Sequence, residues 1–586
     1  MTDKNELIII REERKIDLKR RVEQMKCLLV AINAKYIHSN LAVYSLKSCV
    51  PETGDVCGFQ VELAEYTINH RAAEILDDIY MRKADLLCFS CYIWNIEHVK
   101  TLVRNLKRLR PEVPIWLGGP EVSYDLERQL ALLPEVDGIL YGEGEQSFPQ
   151  LLRFYGGGGL PAGSAYRDEA GRAVITPPGA PVCMDELPFV YETLWDAEDF
   201  GNRILYYETS RGCPFSCSYC LSSIDKQLRF RSLSKVYEEL GFFLEKRVPQ
   251  VKFVDRTFNC RKDRALAVWE FLREHDNGVT NFHFEIGAEL LDEECLALLE
   301  TMRPGLVQLE IGVQSANPET LKAIRRESDL KKLRLVTERV GQGRNICQHL
   351  DLIAGLPYED YESFGHSFDE VYSMRPDELQ LGFLKVLKGT QMYEEADHYH
   401  ILYQAEAPFE VLRTPWLSHE DLICLKQVEE MVEIYYNSRQ FLHSMKWLLS
   451  FFGRPFLMYE SLGRAWAARN MGKRRHMRAA LYEFLLHYAE EEIPEAAERF
   501  RKPLTIDYYL RENAKKRPGF APETEHYKEE IRARLKERFP ERPVKQLLVE
   551  FHVEVFPSPV SAGEEYWLFD YGHRDPLTGN ADCIRL

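Results

Sequence analysis

The segment Arg211-Gly212-Cys213-Pro214-Phe215-Ser216-Cys217-Ser218-Tyr219-Cys220 spaces three cysteines as C-x-x-x-C-x-x-C, a grouping found nowhere else in the chain. Three thiolates this close can ligate three irons of a [4Fe–4S] cluster and leave the fourth iron open; four protein thiolates make a closed electron-transfer centre. An open iron can chelate the amino and carboxylate groups of a small molecule and pass it one electron. A structural zinc would need a fourth ligand to complete a tetrahedral shell. The nearest cysteines on either side, Cys183 and Cys260, are far away in sequence. Others, such as Cys27, Cys49, Cys57, Cys295 and Cys424, stand alone in apolar runs, where cysteine acts as a small hydrophobe. Cys88 and Cys91 form C-x-x-C along an apolar strand, not at an exposed helix N-terminus, which argues against redox exchange.

The elements around the triad are regular. ILYYETS (204–210) reads as the strand that delivers it. After it, the strands VKFVDRT, NFHFEIG, LVQLEIGV, ICQHLDLIAGL and LQLGFLKV alternate with amphipathic helices up to about residue 386. Six βα units predict an open, partial barrel with its active site at the C-terminal strand ends. Upstream, KCLLVAI, FQVELAEYT, ADLLCFSCYIW, PIWLGG and DGILYG alternate with helices, which predicts a parallel, doubly wound sheet. The Gly/Pro-rich stretch 155–181 reads as a hairpin and linker between the two series. Beyond about 410 the pattern is mostly helical and ends in an irregular tail, EYWLFDYGHRDPLTGNADCIRL. The aromatic-rich helices there read as core.

The chain has 586 residues, and 45% of them are apolar, enough to build several cores. Its net charge of −17 disfavours broad attachment to nucleic acid or to an anionic membrane surface. No apolar run approaches the roughly 18 residues that would span a bilayer. The charged first 24 residues do not read as a signal peptide. The expectation is a cytoplasmic protein with reduced thiols.

The triad and its position after the first barrel strand resemble the radical S-adenosylmethionine (SAM) superfamily. That resemblance implies a [4Fe–4S] cluster held by Cys213, Cys217 and Cys220, with SAM on the open iron. Asp255, in VDRTFN at the end of the second barrel strand, resembles the position that meets the SAM amino group, although the usual Gly-Gly-Glu is absent. Glu310, Gln314 and Ser315 in EIGVQS resemble the ribose-contacting segment, with Gln314 where relatives often carry Glu. Ile353 and Gly355 in LIAGLP resemble the segment near the adenine, with Asp351 replacing a glycine common elsewhere. Glu285, Glu289, Arg325, Lys385 and Lys388 stand near these strand ends and read equally well as scaffold charges.

The order of a doubly wound sheet with Gly118-Gly119-Pro120-Glu121 and Gly142-Glu143-Gly144-Glu145, followed by this barrel, resembles the cobalamin-binding branch of the superfamily. Those segments are the expected corrin wall, with Ser90, Tyr92, Trp94 and Asn95 beneath it. The turn after the first strand, Asn33-Ala34-Lys35-Tyr36-Ile37-His38-Ser39-Asn40, carries neither G-x-G-x-x-G nor D-x-H-x-x-G. The resemblance therefore implies base-off cobalamin without a histidine ligand. His38 and Trp94 stay open between packing and ligand roles.

The expected organisation is a leader (1–24), a Rossmann-like cobalamin-binding domain (25–150), a linker and hairpin (151–198), a radical SAM barrel (199–410) and a mostly helical extension (411–586) that caps the barrel or shapes the substrate pocket. The implied activity is reductive SAM cleavage leading to C-methylation of an unactivated carbon. The substrate would be a small molecule or a peptide, and the electron would come from an external reductant of flavodoxin or ferredoxin type. A ring-forming or rearranging enzyme without methyl transfer is one alternative, and a noncatalytic corrinoid or metal-binding module is another. RNA modification rests only on the basic tract Lys473–Arg478, which also reads as a solvated helix face.

Overall fold

The computed structural model describes residues 25–50, 59–168, 170–473, 476–514, 516–558, 563–575 and 577–586. The expected leader and Arg474 and Arg475 of the basic tract lie outside the described residues. The chain divides into two compact units. One holds the described residues up to Glu285 together with 385–397 and 403–410; the other holds 286–384, 398–402 and 411–586.

In the first unit, seven strands form one sheet in the order β2-β1-β3-β4-β5-β6-β7. They are β1 (Lys26–Asn33), β2 (Gln60–Thr67), β3 (Leu86–Ser90), β4 (Ile115–Gly118), β5 (Gly138–Leu140), β6 (Ser164–Arg167) and β7 (Ala173–Ile175). The first five run parallel, and β6 and β7 continue the sheet antiparallel. A strand covered on both faces has no polar side, and Cys27 to Asn33 are accordingly buried without alternation. The helix Ile96–Leu109 buries Ile96, Val99, Leu102, Val103 and Leu106, a stripe of helical period against this sheet. The stretch read as a hairpin and linker contains the antiparallel pair β6 and β7, and that pair extends the first sheet.

The same unit contains β8 (Ile204–Tyr207), the short antiparallel pair β9 (Ser210–Arg211) and β10 (Arg229–Phe230), then β11 (Gln250–Phe253) and β12 (Asn281–Ile286). β8, β11 and β12 run parallel, with helices Leu233–Glu245 and Lys262–Glu274 between them.

In the second unit, β13 (Val307–Gln314), β14 (Cys347–Ala354) and β15 (Glu378–Phe383) pair in parallel, with a register break between Gly312 and Gln314. Helices follow at His419–Val432, Leu442–Leu449, Pro455–Ala468, Arg478–Glu492 and Ala497–Arg511. The tail is not irregular. Phe551–Pro557, Glu564–Arg574 and Ala581–Arg585 form a three-stranded antiparallel sheet. Its central strand buries Tyr566 and Leu568 with Ile531, Leu535 and Val553, and buries Phe569 with Ile506, Tyr509 and Phe556. Apolar residues on both faces hide the period of two that marks a strand in sequence. Among the described residues no helix is long and apolar enough to cross a membrane.

Candidate functional site

The triad sits on a loop held at both ends. Ser210 and Arg211 pair with Arg229 and Phe230, Cys213 N–H donates to Asp225 O (2.9 Å), and Met392 N–H donates to Ser218 O (2.8 Å). Gly212 takes φ +89°, and a Cβ there would come within 2.5 Å of Gln227 O, so only glycine fits between strand and loop. Cys213 and Cys217 are buried, Cys220 is half-buried, and all three are free thiols. Cys260, outside the triad, is near enough to Cys213 and Asp255 to feel both charges, although burial is the main reason its thiol is pushed up.

The triad does not have the compactness that a single zinc ion requires. Tetrahedral zinc with bonds of about 2.3 Å sets thiolates roughly 3.8 Å apart. Among the described residues, the one group of three or more such side chains whose ligand atoms all lie within 4.8 Å of one another is Cys347, His349 and Glu378. At least one pair of triad sulfurs is therefore wider apart than that, which suits a polynuclear cluster better than one metal ion. The Cys347 group is already closed by its neighbours: Arg439 Nη2 donates to Cys347 Sγ (2.8 Å), and Gln308 Nε2 lies 2.7 Å from His349 Nε2.

Beside this loop, and within the same unit, is a cavity of about 1130 Å3, larger than the roughly 300–1,000 Å3 usual for drug-sized ligands. It opens at the carboxyl edge of the first sheet, where doubly wound sheets bind ligands. Its wall combines Ser90, Tyr92 and Trp94, the Gly118–Pro120 and Gly142–Glu145 turns, and Gly212 and Cys220 of the triad loop. Tyr92 and Trp94 stack with ring centroids 4.3 Å apart at 7°. Asn95 and Glu121 stand behind the wall. Asn95 is fully buried and donates to Ile32 O (3.0 Å) and Ser90 O (2.9 Å), fixing the turn that presents Tyr92 and Trp94. Glu121 pairs with Lys388 Nζ (2.7 Å).

The glycines of the wall differ among themselves. A Cβ on Gly119 would come within 2.5 Å of Cys91 O, and one on Gly144 within 2.7 Å of Leu46 Cδ2, so protein fills those gaps. Gly118 and Gly142 meet nothing closer than 3.6 Å and 3.7 Å.

The acidic residues of the wall are paired with arginines from the barrel segment. Arg211 Nη2 meets Glu145 Oε1 (2.5 Å) and Glu208 Oε2 (2.8 Å), while Nη1 reaches Glu143 Oε1 (3.2 Å). Arg229 Nη2 meets Glu143 Oε1 (2.6 Å). Burial works against ionisation of Glu145, yet the Arg211 guanidinium outweighs it and holds that carboxyl below the usual range. At Glu208 burial wins and the carboxyl is pushed up. Sequence reasoning missed the roles of Arg211, Arg229 and Glu208; for Arg211 the signal was its place two residues before Cys213.

Asp255 is buried and serves as a clamp. It accepts Thr209 N (2.7 Å), Ser210 N (3.2 Å) and Ser210 Oγ (2.8 Å), tying the end of β11 to the strand that leads into the triad. Burial raises its pKa, against the pull of those donors.

In the second unit, Gln314 takes φ +73° at the end of β13, and its buried Oε1 has no hydrogen-bond partner. A strained residue with an orphaned buried acceptor suits a polar ligand such as a hydroxyl donor. Ser315 Oγ donates to Glu359 Oε1 (2.6 Å), and so does Ser367 Oγ (2.7 Å). Burial pushes the Glu359 carboxyl up to about 7. Ile353 is half-buried one residue before the end of β14, and Gly355 follows the strand at φ +91° against Val411. Glu310, on β13, is half-buried opposite His349 in the register.

Known protein families match in the same order. Residues 28–152 match the B12 binding domain, 207–371 the radical SAM superfamily, and 397–567 a protein family of unknown function, DUF4080. The chain thus carries a B12-binding domain, a radical SAM domain and a C-terminal domain of a family of unknown function, in that order. It is 26% identical over 317 residues to an uncharacterised methyltransferase of Pyrococcus horikoshii, covering 50% of this chain and 66% of that one. It is 27% identical over 303 residues to the cobalamin-dependent radical SAM methyltransferase TokK of Streptomyces tokunonensis, covering 48% and 44%. The chain thus spans about half to two thirds of the length of these curated relatives. The solved structure of the cobalamin-dependent SAM radical enzyme OxsB, with aqua-cobalamin and SAM bound, shares the fold at a TM-score of 0.56 and 14% identity, covering 83% of this chain and 79% of that one.

Proposed function

We propose that this protein is a cobalamin-dependent radical SAM enzyme that C-methylates an unactivated carbon. One observation carries the reading: a single cavity is lined both by the strand ends of the B12-binding sheet and by Gly212 and Cys220 of the triad loop. When bound, the cluster would supply an electron to SAM, and the corrinoid would supply the methyl group. This chain's own residues would do the rest. Cys213, Cys217 and Cys220 would hold the cluster. Arg211, paired with Glu143 and Glu145, would fix the triad loop against the glycine turns. Tyr92 and Trp94 would present a flat apolar surface to the corrin. Gln314 Oε1 would accept a ribose hydroxyl, and Ile353 and Gly355 would lie along the adenine.

The reading calls for a reducing, cytoplasmic setting and an external one-electron donor of flavodoxin or ferredoxin type. The substrate would be a small molecule or a peptide.

Anaerobic reconstitution with iron, sulfide and hydroxocobalamin tests it. Roughly four irons and one cobalt per chain are expected, with the iron lost and the cobalt kept in Cys217→Ala. Cobalt without iron would leave a corrinoid-binding module, and iron without cobalt would move the chain to another radical SAM branch. With both present, a methylated product separates methyl transfer from ring formation, which would yield deoxyadenosine and an unmethylated product.

A further inference from the structure

Three arginines are buried among the described residues, Arg203, Arg231 and Arg264. Two of them have carboxylate partners. Arg203 Nη1 meets Glu65 Oε2 (2.7 Å), and Arg231 Nε donates to Glu239 Oε1 (2.8 Å). Arg264, on the helix Lys262–Glu274, has none among the described residues. Its Nε is buried without a hydrogen-bond partner, and Nη2 makes one long hydrogen bond, to Thr209 O (3.4 Å). Its Cζ lies 5.4 Å from the centre of the Phe230 ring. Burial holds the guanidinium below its ordinary pKa, and Asp255 is the strongest charge acting against that. Both oxygens of Asp255 are already engaged by Thr209 and Ser210.

A buried cation without a carboxylate partner is costly, and some other negative charge must offset it. Thr209 and Phe230 both belong to the strands that carry the triad: Thr209 leads into β9, and Phe230 of β10 pairs with Ser210. The segment that runs from Asp255 to Arg264 also borders the first thiol, with Thr257 Oγ1 3.9 Å from Cys213 Sγ. A [4Fe–4S] cluster on three thiolates is anionic and becomes more so on taking up one electron, so a cation buried at its support favours the reduced form. We propose that Arg264 is a positioning residue for the triad that acts by charge, making the cluster easier to reduce. The proposal rests on the radical SAM reading above. No bond is made or broken and no proton moves: one electron passes from the external donor to the oxidised cluster, and Arg264 sets how readily it is accepted.

The test is a redox titration of the full-length protein reconstituted with iron and sulfide, with titanium(III) citrate as reductant and electron paramagnetic resonance following the reduced cluster. Arg264→Gln and Arg264→Met should both bind iron as wild type does and shift the midpoint potential to more negative values. Arg264→Lys should stay near wild type, because the charge and not the shape of the guanidinium is at work. The shift should persist at high salt, which screens a buried charge little. Midpoints equal to wild type in both neutral variants overturn the proposal. A shift in Arg264→Met alone does so too, since glutamine can still donate to Thr209 O and hydrogen bonding would then be the cause. Loss of iron from the neutral variants also overturns it, because Arg264 would then hold the loop and not set its potential. These three outcomes leave the radical SAM reading standing, whereas a wild-type chain that takes up no iron overturns both.

Discussion

The cavity wall of the first unit and the strand ends of the second solve the same problem differently. Around the cavity, several charged groups are matched by protein: Glu145 and Glu143 by Arg211 and Arg229, Glu121 by Lys388, Asp255 by Thr209 and Ser210. At the end of β13 the protein leaves Gln314 strained with its acceptor empty, and in the same unit it buries Glu359 with two hydroxyls and no cation. The first arrangement is complete before any ligand arrives and can hold a bulky cofactor rigidly. The second carries unspent interactions, which suits a ligand that comes and goes with each turnover.

The largest effect that would break this contrast is at Arg211. Replacing it with alanine strands Glu145 and Glu208 in a buried site, so Arg211→Ala should lose about 3–5 kcal/mol in denaturant unfolding. Arg211→Lys should recover only part, because one ammonium cannot fork to three carboxylates. A loss below 1 kcal/mol would mean that the arginine is not what joins the glycine turns to the triad loop.

Glu359 gives the next effect, with a defined sign. Its folded pKa, about 7, lies above the ordinary 4.5, so the folded state binds the extra proton between those values. Stability should fall as pH rises from 4.5 to 7, by up to about 3 kcal/mol, and stay low above. Glu359→Gln should remove that slope and be more stable than wild type at pH 8 but not at pH 5. Parallel pH profiles for the two proteins would refute this.

Two glycines sharpen the comparison. Gly119→Ala combines φ +110° with a contact of 2.5 Å to backbone and should cost about 2–3 kcal/mol. Gly142→Ala, at φ +79° with no contact closer than 3.7 Å, should cost about 1 kcal/mol. Equal costs would show that wall glycines serve conformation alone. The smallest effect is at Gln314. Gln314→Gly relieves the positive φ and should gain under about 1 kcal/mol of stability while weakening SAM binding in calorimetry on the reconstituted protein. Unchanged SAM affinity would remove Gln314 from the site.

Much of this was legible in sequence because it depends on local pattern. The triad declares itself through spacing, and the parallel strands declare themselves through apolar runs flanked by amphipathic helices. The tail 565–586 was illegible because Tyr566 and Leu568 enter one core while Phe569 enters another, leaving no polar face to set a period. Glu143 and Glu145 illustrate a different limit. Their place in a glycine-rich turn marks them as wall, but their carboxylates are turned to arginines far along the chain.

What the sequence alone determined is therefore the order of domains, the spacing of the three thiols and the strands whose ends line the cavity, since each follows from residue type and short-range spacing. Only the tertiary structure decided which wall residues face the cavity, which acids are matched, and that His38 is held by Tyr206. Those facts depend on partners brought together from far apart in the chain, across 66 residues for Arg211 and Glu145 and 168 for His38 and Tyr206. Pairings at that range depend on packing and charge burial, which leave no period in the chain.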